Sequence, residues 1–321
     1  MAHFDLPLDQ LRTYRSSTAT PDDLDDFWER TLSESRGAGW EPRLERFDAG
    51  LELVDVFDVS FAGFAGDPIR AWWQVPSGRA PKAVVVELIG YSGGRGFAHD
   101  TGPYPPAGYA RLVVDTRGQG WSHTGAGGAT PDPHGTGSQA PGVLTRGIAS
   151  PETYYYRRAY TDSALAVDVA HRLAPDVPVF VAGVSQGGGL AVAAAALAYD
   201  VAGALPDVPF LTDFPRATTL VDSMPYGEIR THLAAHRDEV ENVYRTLSYF
   251  DGANLAARAT APALFSTALM DTTCPPSTVF AAFNAWAGED KSIEVYPFNG
   301  HEGGTGYQRV KQLRWLRERV G

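Results

Sequence analysis

The segment VPVFVAGVSQGGGLAVAAAAL, residues 177–197, constrains the fold more than any other part of the chain. A β-branched apolar run meets a knot of glycines that holds a serine, and an alanine-rich stretch follows. The first part suits a strand buried on both faces and the last part a helix. The junction, Gly183-Val184-Ser185-Gln186-Gly187, fits G-x-S-x-G. A serine at so sharp a turn has a strained backbone. Side chains two residues to either side would collide with the turn, which accounts for both glycines. The turn lifts the Ser185 hydroxyl out of the sheet at the strand's carboxyl end. The N–H groups of the following helix point at the same place and can stabilise an oxyanion. With 34 glycines in the chain the pattern alone is weakly specific, and the flanking strand and helix give it weight.

Four further runs resemble the strand in that segment: residues 83–90 (AVVVELIG), 110–115 (ARLVVD), 262–269 (PALFSTAL) and 292–298 (SIEVYPF). Helical stretches lie between several of them. Residues 153–173 place Leu165, Val169 and Leu173 four apart and end before Pro175. A last helix near 305–320 aligns Tyr307, Val310, Leu313, Leu316 and Val320 on one face. Strands alternating with helices predict an α/β fold with a mostly parallel sheet flanked by helices. The alternating pattern in 53–75 predicts strands ahead of it. Residues 1–50 read as a polar extension with a helix at PDDLDDFWERTLSE, whose first turn is acidic. We read 1–321 as a single domain. Residues 121–147, rich in Gly, Pro, Ser and Thr, are too long for an ordinary connection.

Composition narrows the function classes. The chain has 321 residues, 27 basic and 38 acidic, for a formal net charge of -11. So acidic a surface offers no general site for phosphates, which argues against nucleic acid. No run approaches the roughly 18 apolar residues of a membrane span. MAHFDLPLDQ lacks the basic start and apolar core of a signal peptide, and Cys274 has no partner for a disulfide. A cytoplasmic location is expected.

A serine hydroxyl needs a base. In an α/β-hydrolase the order is Ser, then Asp or Glu, then His, each after a strand. Asp271 closes PALFSTALMD and His301 follows SIEVYPF. The order Ser185, Asp271, His301 therefore fits. His301 would move the proton and Asp271 would hold its tautomer. Taken singly, Asp271 also reads as a turn residue and His301 as a loop histidine. His171, His232 and His236 lie in helical stretches, and His99, His123 and His134 precede the serine. ELIGYSGGRG (87–96) is the candidate second half of an oxyanion hole, with the N–H of Tyr91 joining that of Gln186. Gly90, Gly93 and Gly94 would let its backbone approach a ligand closely. The loop lacks the G-K-[ST] ending of a P-loop. No residue cluster has metal-ligand spacing, so no metal is expected.

At this point the chain resembles the acetyl xylan esterase/cephalosporin C deacetylase family of carbohydrate esterases, of the α/β-hydrolase fold. The likeness covers nearly the whole chain. It is carried by RGQG (117–120), TRGI and PETYYYRRAYTD within 145–162, GVSQGGGLA (183–191), RTLSYFDG and LAARA within 245–259, DTTCPPSTVFAAFN (271–284) and HEGG (301–304). The resemblance implies removal of acetyl groups from small substrates such as xylo-oligosaccharides, other sugar acetates and cephalosporin C, without a cofactor. It implies a homo-oligomer, a hexamer, with 121–147 as an interface insertion. It carries the same nucleophile, acid and base onto Ser185, Asp271 and His301, and the oxyanion donors onto Tyr91 and Gln186. Arg117 and Gln119 would support the site, and Pro225 would line a small acyl pocket. Two departures stand out. Ile89 occupies a position where the family commonly has His, and TDFPRA (212–217) differs near the expected pocket. Two alternatives remain open: a serine hydrolase of this fold with another ester or peptide substrate, and an inactive hydrolase-fold binding protein.

Overall fold

The computed structural model describes residues 3–122, 127–135 and 142–321. Nine strands form one sheet: β1 (Arg43–Phe47), β2 (Val54–Ala62), β3 (Pro68–Pro76), β4 (Val84–Leu88), β5 (Ala110–Val114), β6 (Val179–Val184), β7 (Gly203–Asp207), β8 (Ala263–Ala268) and β9 (Lys291–Tyr296). Their order in space is β1-β2-β3-β5-β4-β6-β7-β8-β9. From β5 to β9 every neighbouring pair is parallel. β1, β2 and β3 form an antiparallel meander on the β5 edge.

Alternate residues of the central strands feed two cores. Val84, Val86, Val179 and Val181 join the larger cluster with helices Tyr155–Leu173 and Gln186–Leu197. Val85, Phe180 and Ala182 meet Trp315 and Leu316 of the terminal helix Thr305–Val320 on the other face. Each buried Val, Leu or Phe side chain contributes about 1.5–3 kcal/mol, which is why these strands read as unbroken apolar runs. The five runs picked out in sequence are β4, β5, β6, β8 and β9. β9 is only half-buried because it closes the sheet. Among the described residues no helix is long and apolar enough to cross a membrane.

The structure departs from or adds to the sequence reading in three places. The 1–50 extension is not helical alone: after helix Leu24–Gly37 it adds β1, an edge strand exposed along its length and held by backbone pairing to β2. β7 had no signal, since GALPD opens with Gly and carries Pro. Gly203 is required because a Cβ there would lie 2.6 Å from Trp315. On the terminal helix the predicted stripe holds in its C-terminal half, where Leu313, Leu316 and Val320 pack with Trp315 into the second core, but fails at its start: Tyr307 is 81% and Val310 46% exposed, and Gln308 and Gln312 are buried in their place. Its inward face is partly polar because the sheet offers it buried polar groups, among them Asp207.

Of the segment 121–147, residues 123–126 and 136–141, His123 included, lie outside the described residues. The described part folds back on the domain. Asp132 pairs with Arg158 at 2.7 Å, and Ala129 donates its N–H to Asp115 at 2.6 Å.

Candidate active site

β6 ends at Val184 and the next helix starts at Gln186, so Ser185 alone makes the turn. Its φ of 58° and ψ of -120° lie in the strained region expected for such a junction. The glycines are needed for the predicted reason, with one refinement. A Cβ on Gly183 would lie 2.3 Å from Gly187 across the turn, whereas one on Gly187 would lie 2.1 Å from the carbonyl of Leu88 in β4. The turn is pinned by the N–H of Ser185 donating to the Asp207 carbonyl at 3.0 Å.

Asp271 follows β8 and is fully buried. Its Oδ1 accepts the N–H groups of Thr273 at 2.8 Å and Cys274 at 2.9 Å. Its Oδ2 lies 2.9 Å from Nδ1 of His301. The other ring nitrogen, Nε2, lies 3.0 Å from Ser185 Oγ. Three residues from three strand ends thus form one hydrogen-bonded chain. Sequence reasoning missed what holds the His301 loop. Glu302 accepts from the Asn299 amide at 3.0 Å and from the N–H of Gly300 at 3.1 Å. These bonds keep its carboxyl below the usual range.

Gln186 opens its helix, so its N–H has no acceptor within that helix. Its buried side chain explains the RGQ and YYY elements together. The Gln186 carbonyl oxygen accepts from Gln119 at 2.8 Å and from the Tyr156 hydroxyl at 2.8 Å. Its amide donates to the carbonyl of Ile89 at 3.1 Å. Gln119 Oε1 in turn accepts the N–H of Ser92 at 2.7 Å. The loop bearing Tyr91 is therefore gripped on both sides of that residue. Arg117 is buried between Asp162, at 2.5 Å, and Asp67, at 2.9 Å, and its carbonyl accepts from Tyr155 at 2.6 Å. The Ile89 side chain packs against the small apolar cluster of Val54, Val56 and Trp72.

Ser185 and His301 open into a cavity of about 580 Å³, also lined by Gly90, Tyr91, Trp121, Pro225 and Glu228. Glu228 had no sequence signal, being one acid within a helix. Gly94 is required for packing: a Cβ there would lie 2.8 Å from the backbone of Gly127 and Gly128. Residues 212–217 do not line the cavity. Asp213 instead accepts from the Tyr14 hydroxyl at 2.8 Å, and Arg216 pairs with Asp5 at 2.9 Å.

The fold also gathers a donor set that linear spacing does not reveal. One ligand atom each from Asp271, Cys274 and His301 lie within 4.8 Å of one another. Asp271 and His301 already bind each other, and burial pushes the Cys274 thiol well up, so the set is poorly suited to a resident ion.

Comparison with known proteins gives first a class. An acetyl xylan esterase from Paenibacillus sp. R4 superposes with a TM-score of 0.91 at 37% identity, covering 98% of this chain and 100% of that one. Acetyl xylan esterase 1 from Thermoanaerobacterium sp. JW/SL YS485 gives 0.89 at 33%, covering 98% and 99%. With the parallel sheet and the strand–Ser185–helix turn, these make the chain a carboxylic ester hydrolase of the α/β-hydrolase fold. More narrowly, the acetyl xylan esterase (AXE1) family model matches residues 1–319, and the chain belongs to that family. It is also 25% identical to the acetyl esterase Axe7A of Xylanibacter ruminicola, over 94% of this chain and 68% of that protein.

Proposed function

We propose that the protein removes acetyl groups from small acetylated substrates through an acyl-enzyme on Ser185. His301 Nε2 takes the hydroxyl proton as Oγ attacks the acetyl carbonyl carbon. The oxyanion rests on the N–H groups of Tyr91 and Gln186. Collapse breaks the ester C–O bond, and the alcohol leaves with the proton from His301. Water then attacks the acetyl-serine, giving its proton to His301, and acetate departs as Ser185 regains a proton. Asp271 keeps Nδ1 protonated and stabilises the imidazolium.

The observation that supports this reading most is the unbroken run from Asp271 through His301 to Ser185, at 2.9 and 3.0 Å, opening into the cavity. Tyr91 and Pro225 bound the space beside Ser185 and favour a short acyl group. Trp121, half-exposed beside Tyr91, offers an aromatic face to the ring of a leaving alcohol. Xylo-oligosaccharide acetates, other sugar acetates and cephalosporin C all satisfy these demands, in a cytoplasmic protein that needs no cofactor or metal.

The test is hydrolysis of 4-nitrophenyl esters from acetate to octanoate. Acetate should be fastest, with a steep fall beyond propionate, and Ser185→Ala should lower kcat by about 10⁴ or more. Preference for long esters would remove the acetyl assignment while leaving the serine in place. Equal inertness of wild type and variant would remove the mechanism.

We also propose a homo-oligomer, with the hexamer as the state that family likeness favours. The β1 edge is free, with Leu44 and Phe47 exposed on its two opposite faces and Leu51 and Leu53 exposed in the chain just after it, an edge that favours covering. Light scattering should give a mass well above that of a dimer. A monomer would sink the proposal.

A further inference from the structure

Glu228 is a buried carboxylate with no part in the proton transfers above. It lies three residues after Pro225 in helix Tyr226–Ala235, is only 2% exposed, and still borders the cavity. Its Oε1 accepts from the Tyr91 hydroxyl at 2.5 Å and its Oε2 from the N–H of Leu144 at 2.9 Å. The Tyr91 oxygen accepts in turn from the N–H of Val143 at 2.7 Å. One carboxylate therefore ties together the Tyr91 loop, the chain at 143–144 and the helix that follows Pro225. The join is tight: a Cβ on Gly142 would lie 2.1 Å from Glu228 Oε1 and 2.5 Å from the Tyr91 oxygen. Burial pushes the Glu228 carboxyl up to about 7, while the Tyr91 and Leu144 hydrogen bonds and the Arg146 charge pull it down.

We infer that Glu228 is a positioning residue. Through the Tyr91 hydroxyl it sets the Tyr91 backbone as an oxyanion donor and holds the Tyr91 ring and Pro225 as a rigid wall against acyl groups longer than acetyl. This rests on the esterase reading above, with Tyr91 as a donor. The chemistry suits an ionised carboxylate, the form that prevails above about pH 7, and not an amide. Two donors approach two different oxygens, and a glutamine would meet one of them with its own NH₂. The precision matters because an oxyanion donor acts only near its proper distance, and a small misplacement at the site is costly.

The test uses the full chain with 4-nitrophenyl acetate and butyrate, for wild type, Glu228→Gln, Tyr91→Phe and the double variant. Each single change should lower kcat on acetate about 10-fold with KM within about threefold, a fraction of the loss for removing a donor outright. The ratio of kcat/KM for acetate over butyrate should fall in both. That ratio does not depend on how much protein is correctly folded, so a merely structural role leaves it unmoved. The double variant should be no worse than the poorer single, because both break one link. Should Glu228→Gln not fold, Tyr91→Phe decides, since it deletes only the hydroxyl. A wild-type ratio in the folded variants, or losses that multiply in the double, would overturn the inference. A wild type inert on both esters would overturn the esterase reading, and this inference with it.

Discussion

Asp207 and Asp271 stand at the ends of neighbouring strands, β7 and β8, and both side chains are buried. They differ in what reaches them. Asp271 accepts two backbone N–H groups and faces a histidine ring that touches Ser185. Asp207 accepts from neutral donors, Ser266 at 3.0 Å and Gln312 at 2.7 Å, on the side of the terminal helix. Its main-chain carbonyl holds the Ser185 N–H, so its backbone serves the turn while its side chain serves the packing. Place at a strand end does not make a carboxylate part of a proton relay. The loop that brings His301 to one strand end and not the other does.

Exchanging each aspartate for asparagine puts the sharpest strain on this contrast. Asp271→Asn should leave the chain folded and lower kcat by about 10⁴, because an amide favours the wrong imidazole tautomer. Asp207→Asn should leave kcat on 4-nitrophenyl acetate within a few-fold. The Asn oxygen can accept from Gln312, and the Ser266 hydroxyl can turn to accept from its NH₂. Comparable losses in the two variants would erase the distinction and make Asp207 part of the relay.

The same pair shows what a sequence discloses. Asp271 could be found because Ser, Asp and His follow a fixed order and each trails an apolar run. Asp207 could not, because GALPD contains Gly and Pro and carries no strand signal. Its strand exists because β6 and β8 supply partners on both sides and Gly203 leaves room for Trp315. The terminal helix keeps the predicted Leu313, Leu316 and Val320 inward, and its first turns differ for a linked reason. Apolar spacing favoured Tyr307 and Val310, whereas the sheet needed Gln312 for a buried carboxylate. Gln119 and Gln186 were legible as motif members, but their mutual hydrogen bond was not. Glu228 was not legible at all, since its partners Tyr91 and Leu144 lie 137 and 84 residues away. Contacts that span elements leave no local period.

A smaller effect, on stability, tests the other half of the comparison. Burial pushes the Asp207 carboxyl up to about 6, above its ordinary 3.8, against the downward pull of the Arg309 charge and of the Ser266 and Gln312 hydrogen bonds. Between about pH 4 and pH 6 the folded chain therefore keeps a proton that the unfolded chain has released. Stability drawn from this group is present at the acid end and is lost as pH rises through that window. Asparagine has no proton to lose. The wild type should thus lose stability relative to Asp207→Asn as pH goes from 4 to 7, by on the order of 2 kcal/mol. Asp251 and Glu228, whose carboxyls are also raised, are common to both proteins and cancel in the difference. Denaturant midpoints of the two proteins at pH 4.5, 5.5 and 7 measure it. Parallel curves would mean that Arg309 and the neutral donors hold Asp207 ionised throughout. The two aspartates would then differ only in whether a histidine reaches them, and not in the polarity of what surrounds them.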